Sequence, residues 1–162
     1  MFTSPFLALE KLANEAIKYA VELNNCAATP EHLLYALARN EAFCGSRTLR
    51  MLEVNLEELA FFLEENLRRE RRPLNISSER LRLSMQAQSV IANAETYAVK
   101  KFHSSYVGSE HVLFALTERT NPTYSSLRKF KVFQIDVERE IRNLGKPEKR
   151  REFAGIETLG ED

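Results

Sequence analysis

The chain reads as an all-α protein of two tandem four-helix repeats packed with pseudo-two-fold symmetry, and three observations lead there. Thr29-Pro-Glu-His-Leu-Leu-Tyr-Ala-Leu37 recurs as Gly108-Ser-Glu-His-Val-Leu-Phe-Ala-Leu116, about half the chain later. From Glu31 to Leu37 only the Leu33/Val112 and Tyr35/Phe114 positions differ, and both are conservative swaps. Only five glycines and five prolines occur, and apolar residues recur at three- and four-residue spacing. The pairing also extends past the motif, since Leu49-Arg-x-Leu-x-Val54 matches Leu127-Arg-x-Phe-x-Val132. Two copies are too few for a solenoid, but they can cover each other's apolar faces within one bundle-like domain.

The elements follow in order. Ser4-Pro5 supplies an N-cap with proline at the first helical position, and Phe6, Leu9, Leu12, Ala13, Ala16, Ile17, Ala20 and Leu23 form one stripe behind it. Asn24-Asn25 ends that helix, and Thr29-Pro30 opens the next, with Leu33, Leu34 and Leu37 facing inward. Gly45 and Ser46 precede a short helix carrying Leu49 and Leu52. A fourth holds Leu56, Leu59, Phe62, Leu63 and Leu67, and of Phe61 and Phe62 only one can face the core. Repeat one thus spans about residues 5–68. A linker covers about 69–83, where the Arg68–Arg72 charge run meets the helix-blocking Pro73.

Repeat two spans about residues 84–145. Ser78 or Ser84 caps its first helix, which runs to about Phe102. The second helix covers Ser109 to about Glu118, the third carries Leu127 and Phe130, and the last holds Ile135, Val137, Ile141 and Leu144. From 146 to 162 the period is lost, as expected of a flexible tail or the start of an interdomain linker.

Composition narrows the function. A chain of 162 residues buries roughly 70% of its unfolded surface as a single domain. The 23 basic and 23 acidic side chains cancel, which argues against nucleic-acid or membrane-surface partners. No apolar run approaches a membrane span and no signal peptide is read, so a cytoplasmic protein is expected, with Cys26 and Cys44 as free thiols. There is no Gly-x-x-x-x-Gly-Lys-Ser/Thr loop, no Gly-x-Ser-x-Gly elbow and no His-Glu-x-x-His pair. Glu31-His32 and Glu110-His111 are helix neighbours that point about 100° apart, so they form no acid/base dyad. No catalytic residue, metal or cofactor is therefore expected. Each Glu instead complements the positive end of its helix.

The two Glu-His-Leu/Val-Leu-x-Ala-Leu segments, at this separation, resemble the paired signatures of the Clp N-terminal domain, over roughly residues 5–145. Ser105-Tyr-Val-Gly-Ser-Glu-His111 is similar to the ClpC pattern. Thr29-Pro-Glu-His-Leu-Leu34, Leu83-Ser-Met-Gln86 and Leu127-Arg-Lys129 are closer to ClpA. The resemblance implies a non-enzymatic recruiting module, monomeric by itself. Such a module binds protein clients and adaptors (ClpS-like or other) and delivers them to an AAA+ unfoldase ring and its protease. The alternative is a free-standing accessory protein of the same fold that docks on a Clp protease complex.

In the ClpC branch the motif Glu of each repeat is implicated in recognising phosphorylated arginine tags. Carried over, this implies binding at Glu31 and Glu110, with Thr29, Gly108 and Ser109 at the helix starts. Pro30 removes an N–H donor from the first start while Gly108-Ser109 keeps its own, so a phosphate is expected to prefer the second. Phe2, Phe6, Met85 and Tyr106 are candidates for an apolar client groove, although aromatic residues at helical spacing more often pack inside.

Overall fold

The computed structural model describes residues 7–70 and 81–144. The expected tail after 145, the candidates Phe2 and Phe6, the Ser4-Pro5 cap and most of the linker lie outside the described residues. Within them are eight α-helices: α1 (Leu7–Glu22), α2 (Pro30–Arg39), α3 (Cys44–Met51), α4 (Leu56–Arg68), α5 (Met85–Thr96), α6 (Ser109–Leu116), α7 (Thr123–Lys129) and α8 (Gln134–Leu144). No strand occurs among the described residues, and one parallel bridge joins Ala28 to Leu83. The all-α expectation holds. Cys26 and Cys44 are free thiols.

Helices α2 and α6 form the centre, with every residue of the Leu33–Leu37 and Val112–Leu116 segments buried. Residues pointing in all directions can be apolar here because other helices cover both elements from several sides. The remaining helices bury one stripe. In α1 this is Leu9, Leu12, Ala16 and Ala20, continued by Leu23 just past its end; in α4 it is Leu56, Leu59, Ala60, Leu63 and Leu67. Phe62 packs against the core while Phe61 is exposed. Ile135 does not join the α8 stripe and is 71% exposed. Two residues from Val137 in a helix, it points to the far side of the apolar face.

The halves repeat each other in detail. Asn24, Glu53 and Lys131 sit at φ of 60°, 64° and 62°, each just after a helix. At all three ends the N–H three places past the helix reaches back five residues: Asn25 to Ala20 O, Val54 to Leu49 O, and Val132 to Leu127 O. These are left-handed C-terminal caps built without glycine. The fourth end differs by one residue. Tyr97–Lys101 is a single π-helical turn, and Ser104 N–H reaches Ala98 O six residues back. The turn absorbs an extra residue and still delivers His103 at φ 52°, matching Asn24. Accordingly Tyr19–Tyr35 and Tyr97–Phe114 form matching T-shaped pairs, with ring centroids 4.9 and 5.0 Å apart.

The caps follow local chemistry. Ser84 Oγ accepts from Ala87 N–H at 3.0 Å and Asn55 Oδ1 from Glu58 N–H at 3.1 Å. Helix α5 therefore starts at Ser84, one of the two positions the sequence allows. Replacing Ser84 with Ala is expected to lower the unfolding free energy by about 1 kcal/mol, read from the urea midpoint at unchanged m-value.

Candidate functional site

Both motif histidines act as helix caps. In the first copy, Thr29 N–H donates to His32 Nδ1 at 2.9 Å, closing the α2 start with a ring in place of the usual carboxylate. With Nδ1 accepting, Nε2 carries the proton and donates to Asn25 Oδ1 at 2.8 Å. Asn25 in turn donates to Leu67 O at 2.7 Å and Glu70 O at 2.6 Å, at the carbonyl end of α4. One buried amide therefore ties the α1–α2 loop, the start of α2 and the end of α4. Burial holds His32 neutral and pulls its pKa down to about 4. In the second copy Gly108 N–H donates to His111 Nδ1 at 2.9 Å, and burial again lowers the pKa.

The carboxylates of the two copies have different surroundings. Glu31 is half-buried, and desolvation and the nearby Glu70 raise its pKa. Glu110 is 1% exposed. Its Oε2 accepts from the Tyr106 hydroxyl, and Oε1 has no donor among the described residues. The carboxylate folds back over Gly108, where an added β-carbon would lie 2.4 Å from Oε1. Ser109 Oγ accepts from Gly45 N–H at 2.7 Å across the junction between the halves.

Gly108, Ser109 and Glu110 are thus all buried, which reverses the accessibility assumed for them from the sequence. The second start keeps its N–H donors, but α3 is seated on it and takes up its hydroxyl. At the first start Thr29 and Glu31 are both partly exposed, and the Ala28–Leu83 bridge brings the start of α5 alongside. Met85 there is 82% exposed. Tyr106, also exposed, precedes the second helix start, with its hydroxyl on Glu110 and its ring centroid 5.5 Å from that of His111. The expectation that Met85 and Tyr106 pack in the core is corrected on both: Met85 begins α5 and is 82% exposed, and Tyr106 precedes α6 and is 51% exposed.

No group of three or more His, Cys, Asp or Glu residues that could hold a metal occurs among the described residues. No described helix is long and apolar enough to cross a membrane.

A paired Glu-His helix start, repeated within an eight-helix body whose caps recur in both halves, matches a known domain type. The family model of the Clp repeat (R) N-terminal domain covers residues 7–130. The chain belongs to this family. A Clp repeat N-terminal domain is non-catalytic, and it is a domain type of Clp ATPases. Two solved structures share the fold. One, from structural work on a malarial protein secretion system, matches with a TM-score of 0.68 at 20% identity, covering 96% of each chain. The other comes from a study of the coevolution of the ATPase ClpV, the TssB–TssC sheath and the accessory HsiE protein. It matches with a TM-score of 0.63 at 19% identity, over 90% of this chain and 94% of that one.

The Asn25 clamp of this Clp repeat domain was missed from the sequence. In the sequence Asn24-Asn25 signals only a helix stop, and the pattern that points to the clamp is a polar residue seven before a capping histidine, Asn25 in one copy and Ser104 in the other.

Proposed function

We propose that this Clp repeat domain recruits protein clients and adaptors for an ATP-dependent Clp unfoldase, and that the edge carrying Thr29, Glu31 and Met85 is where they first engage. The observation carrying the reading is the combination on that edge of a half-buried carboxylate and an 82%-exposed methionine. A thioether side chain adapts to varied apolar segments, and a carboxylate beside it takes the guanidinium or ammonium group of a client. Neither contact is deep enough to trap a client, which suits capture and release. A tether to an ATPase ring would then raise the client's local concentration at the pore. The buried Glu110 start contributes to recruitment only after Tyr106 and the neighbouring loop move.

A permanently unfolded client protein titrated into ¹⁵N-labelled domain tests this. Saturable amide shifts are expected at Thr29, Glu31 and Met85. Glu31→Ala should weaken binding by roughly two- to fivefold, the range of an exposed ion pair. Shifts confined to other faces, or an unchanged affinity in both Glu31→Ala and Met85→Ala, would remove the edge from consideration.

A further inference from the structure

The two histidine caps differ at one atom. His32 has both ring nitrogens engaged, and His111 has one. Gly108 N–H donates to His111 Nδ1, so the neutral ring carries its proton on Nε2, and that N–H has no acceptor among the described residues although His111 is 1% exposed. The unmatched N–H borders a cleft through which a polar group can reach it, and an acceptor placed there gains a hydrogen bond.

The first repeat shows which chemistry completes the ring. There the acceptor is a primary carboxamide, Asn25, whose NH₂ simultaneously meets the carbonyl end of α4. Its counterpart in the second repeat is Ser104, since each follows the left-handed residue that ends its helix, Asn24 or His103. Ser104 cannot substitute. Its hydroxyl donates to Tyr106 O at 2.7 Å and accepts from Tyr106 N–H at 3.2 Å, closing its own loop.

Beside the His111 ring lies a cleft of about 450 Å³, walled by Phe102, Ser104, Tyr106, Ile141 and Arg142 among others, with Leu144 at the end of α8. Phe102 and Tyr106 flank the imidazole at 5.6 and 5.5 Å between centroids. Arg142, the cation on this wall, donates twice to Glu138 Oε2, at 3.1 and 3.0 Å, and lies over the Phe102 ring. With Arg142 paired and the buried His111 neutral, the part of the wall around the His111 ring suits an uncharged polar group between aromatic faces.

We propose that this cleft binds the side-chain carboxamide of an Asn or Gln residue in a protein partner. The amide carbonyl accepts His111 Nε2–H and its NH₂ turns to the carbonyl end of α8, as Asn25 does within the first repeat. The proposal rests on the recruitment reading for the source of the amide and on the His111 geometry for the site itself.

The test titrates N-acetyl-asparagine and N-acetyl-glutamine methylamides into ¹⁵N-labelled protein, with the aspartate and leucine analogues as controls. The His111 imidazole nitrogens and the amides of Ser104–Val107 and Ile141–Leu144 should shift saturably with the carboxamides. Binding of the aspartate analogue should be weaker on the order of fivefold, and the leucine analogue should give no response. Ser104→Asn places the same group inside the chain and should abolish the response while leaving the remaining spectrum intact. Equal responses to leucine and carboxamide, or shifts elsewhere than the cleft, overturn the site, as does a response that survives in a folded Ser104→Asn variant. Clients captured without a carboxamide response would leave recruitment standing and remove the cleft. A carboxamide response without client capture would do the reverse.

Discussion

Lowering the pH from 6.5 towards 4 is expected to reduce the unfolding free energy of this domain, with His32 the largest single contributor. Its folded pKa is depressed to about 4 from the ordinary 6.5, because the ring is buried and its Nδ1 must accept from Thr29 N–H. The unfolded chain therefore binds a proton between those values that the folded chain excludes, so stability rises with pH across this window. The stabilisation is complete above pH 6.5, is lost as pH falls to about 4, and changes little below. At about 1.4 kcal/mol per pH unit, the loss approaches about 3 kcal/mol. His111 adds to the fall with the same sign, since its pKa is also lowered. Glu31 opposes it, because a raised carboxylate pKa makes the folded state bind protons more readily. Urea unfolding at pH 7, 6, 5 and 4.5 measures the slope. His32→Gln keeps an amide at the cap and should flatten the curve relative to wild type. Equal slopes in the two proteins would show that the buried ring is not the titrating group.

Gly45→Ala is expected to cost about 2 kcal/mol, although alanine is the better helix former by about 1 kcal/mol. Gly45 lies in the first turn of α3, and a β-carbon there would sit 2.9 Å from Ser109 O and 3.1 Å from its carbonyl carbon. Both are backbone atoms at the buried start of α6 and cannot swing aside. The halves must separate locally, stretching the Gly45 N–H to Ser109 Oγ bond of 2.7 Å. A double-mutant cycle with Ser109→Ala, followed by urea unfolding, should give a coupling above about 0.5 kcal/mol. A stabilised Gly45→Ala protein, or additive effects, would mean that the junction yields freely.

These two sites mark where sequence reading succeeds and where it stops. The duplicated motif, the stripe of α1 and the inward side of Phe62 are legible, because each depends on spacing within a few residues. The cap of α5 is narrowed only to Ser78 or Ser84, and the structure selects Ser84. Ile135 was misplaced by treating one more apolar residue as part of the stripe. The π turn at Tyr97–Lys101 left no local signal, since it compensates for one residue of difference between halves that only superposed caps reveal.

The candidate site divides in the same way. Thr29, Glu31 and the histidines were identifiable as helix-start residues, but the motif reads alike in both copies, and its surroundings do not. Whether a helix start is open depends on what arrives from a distant part of the chain. Gly45 settles onto Ser109, Asn25 completes His32, and Ser104 leaves His111 Nε2 without an acceptor among the described residues. By itself the sequence determined a duplicated helical domain and its family, because periodicity states which face of each helix is apolar. Tertiary structure alone decided which polar end is reachable, because hydrogen bonds between residues far apart in the chain are written in no local pattern.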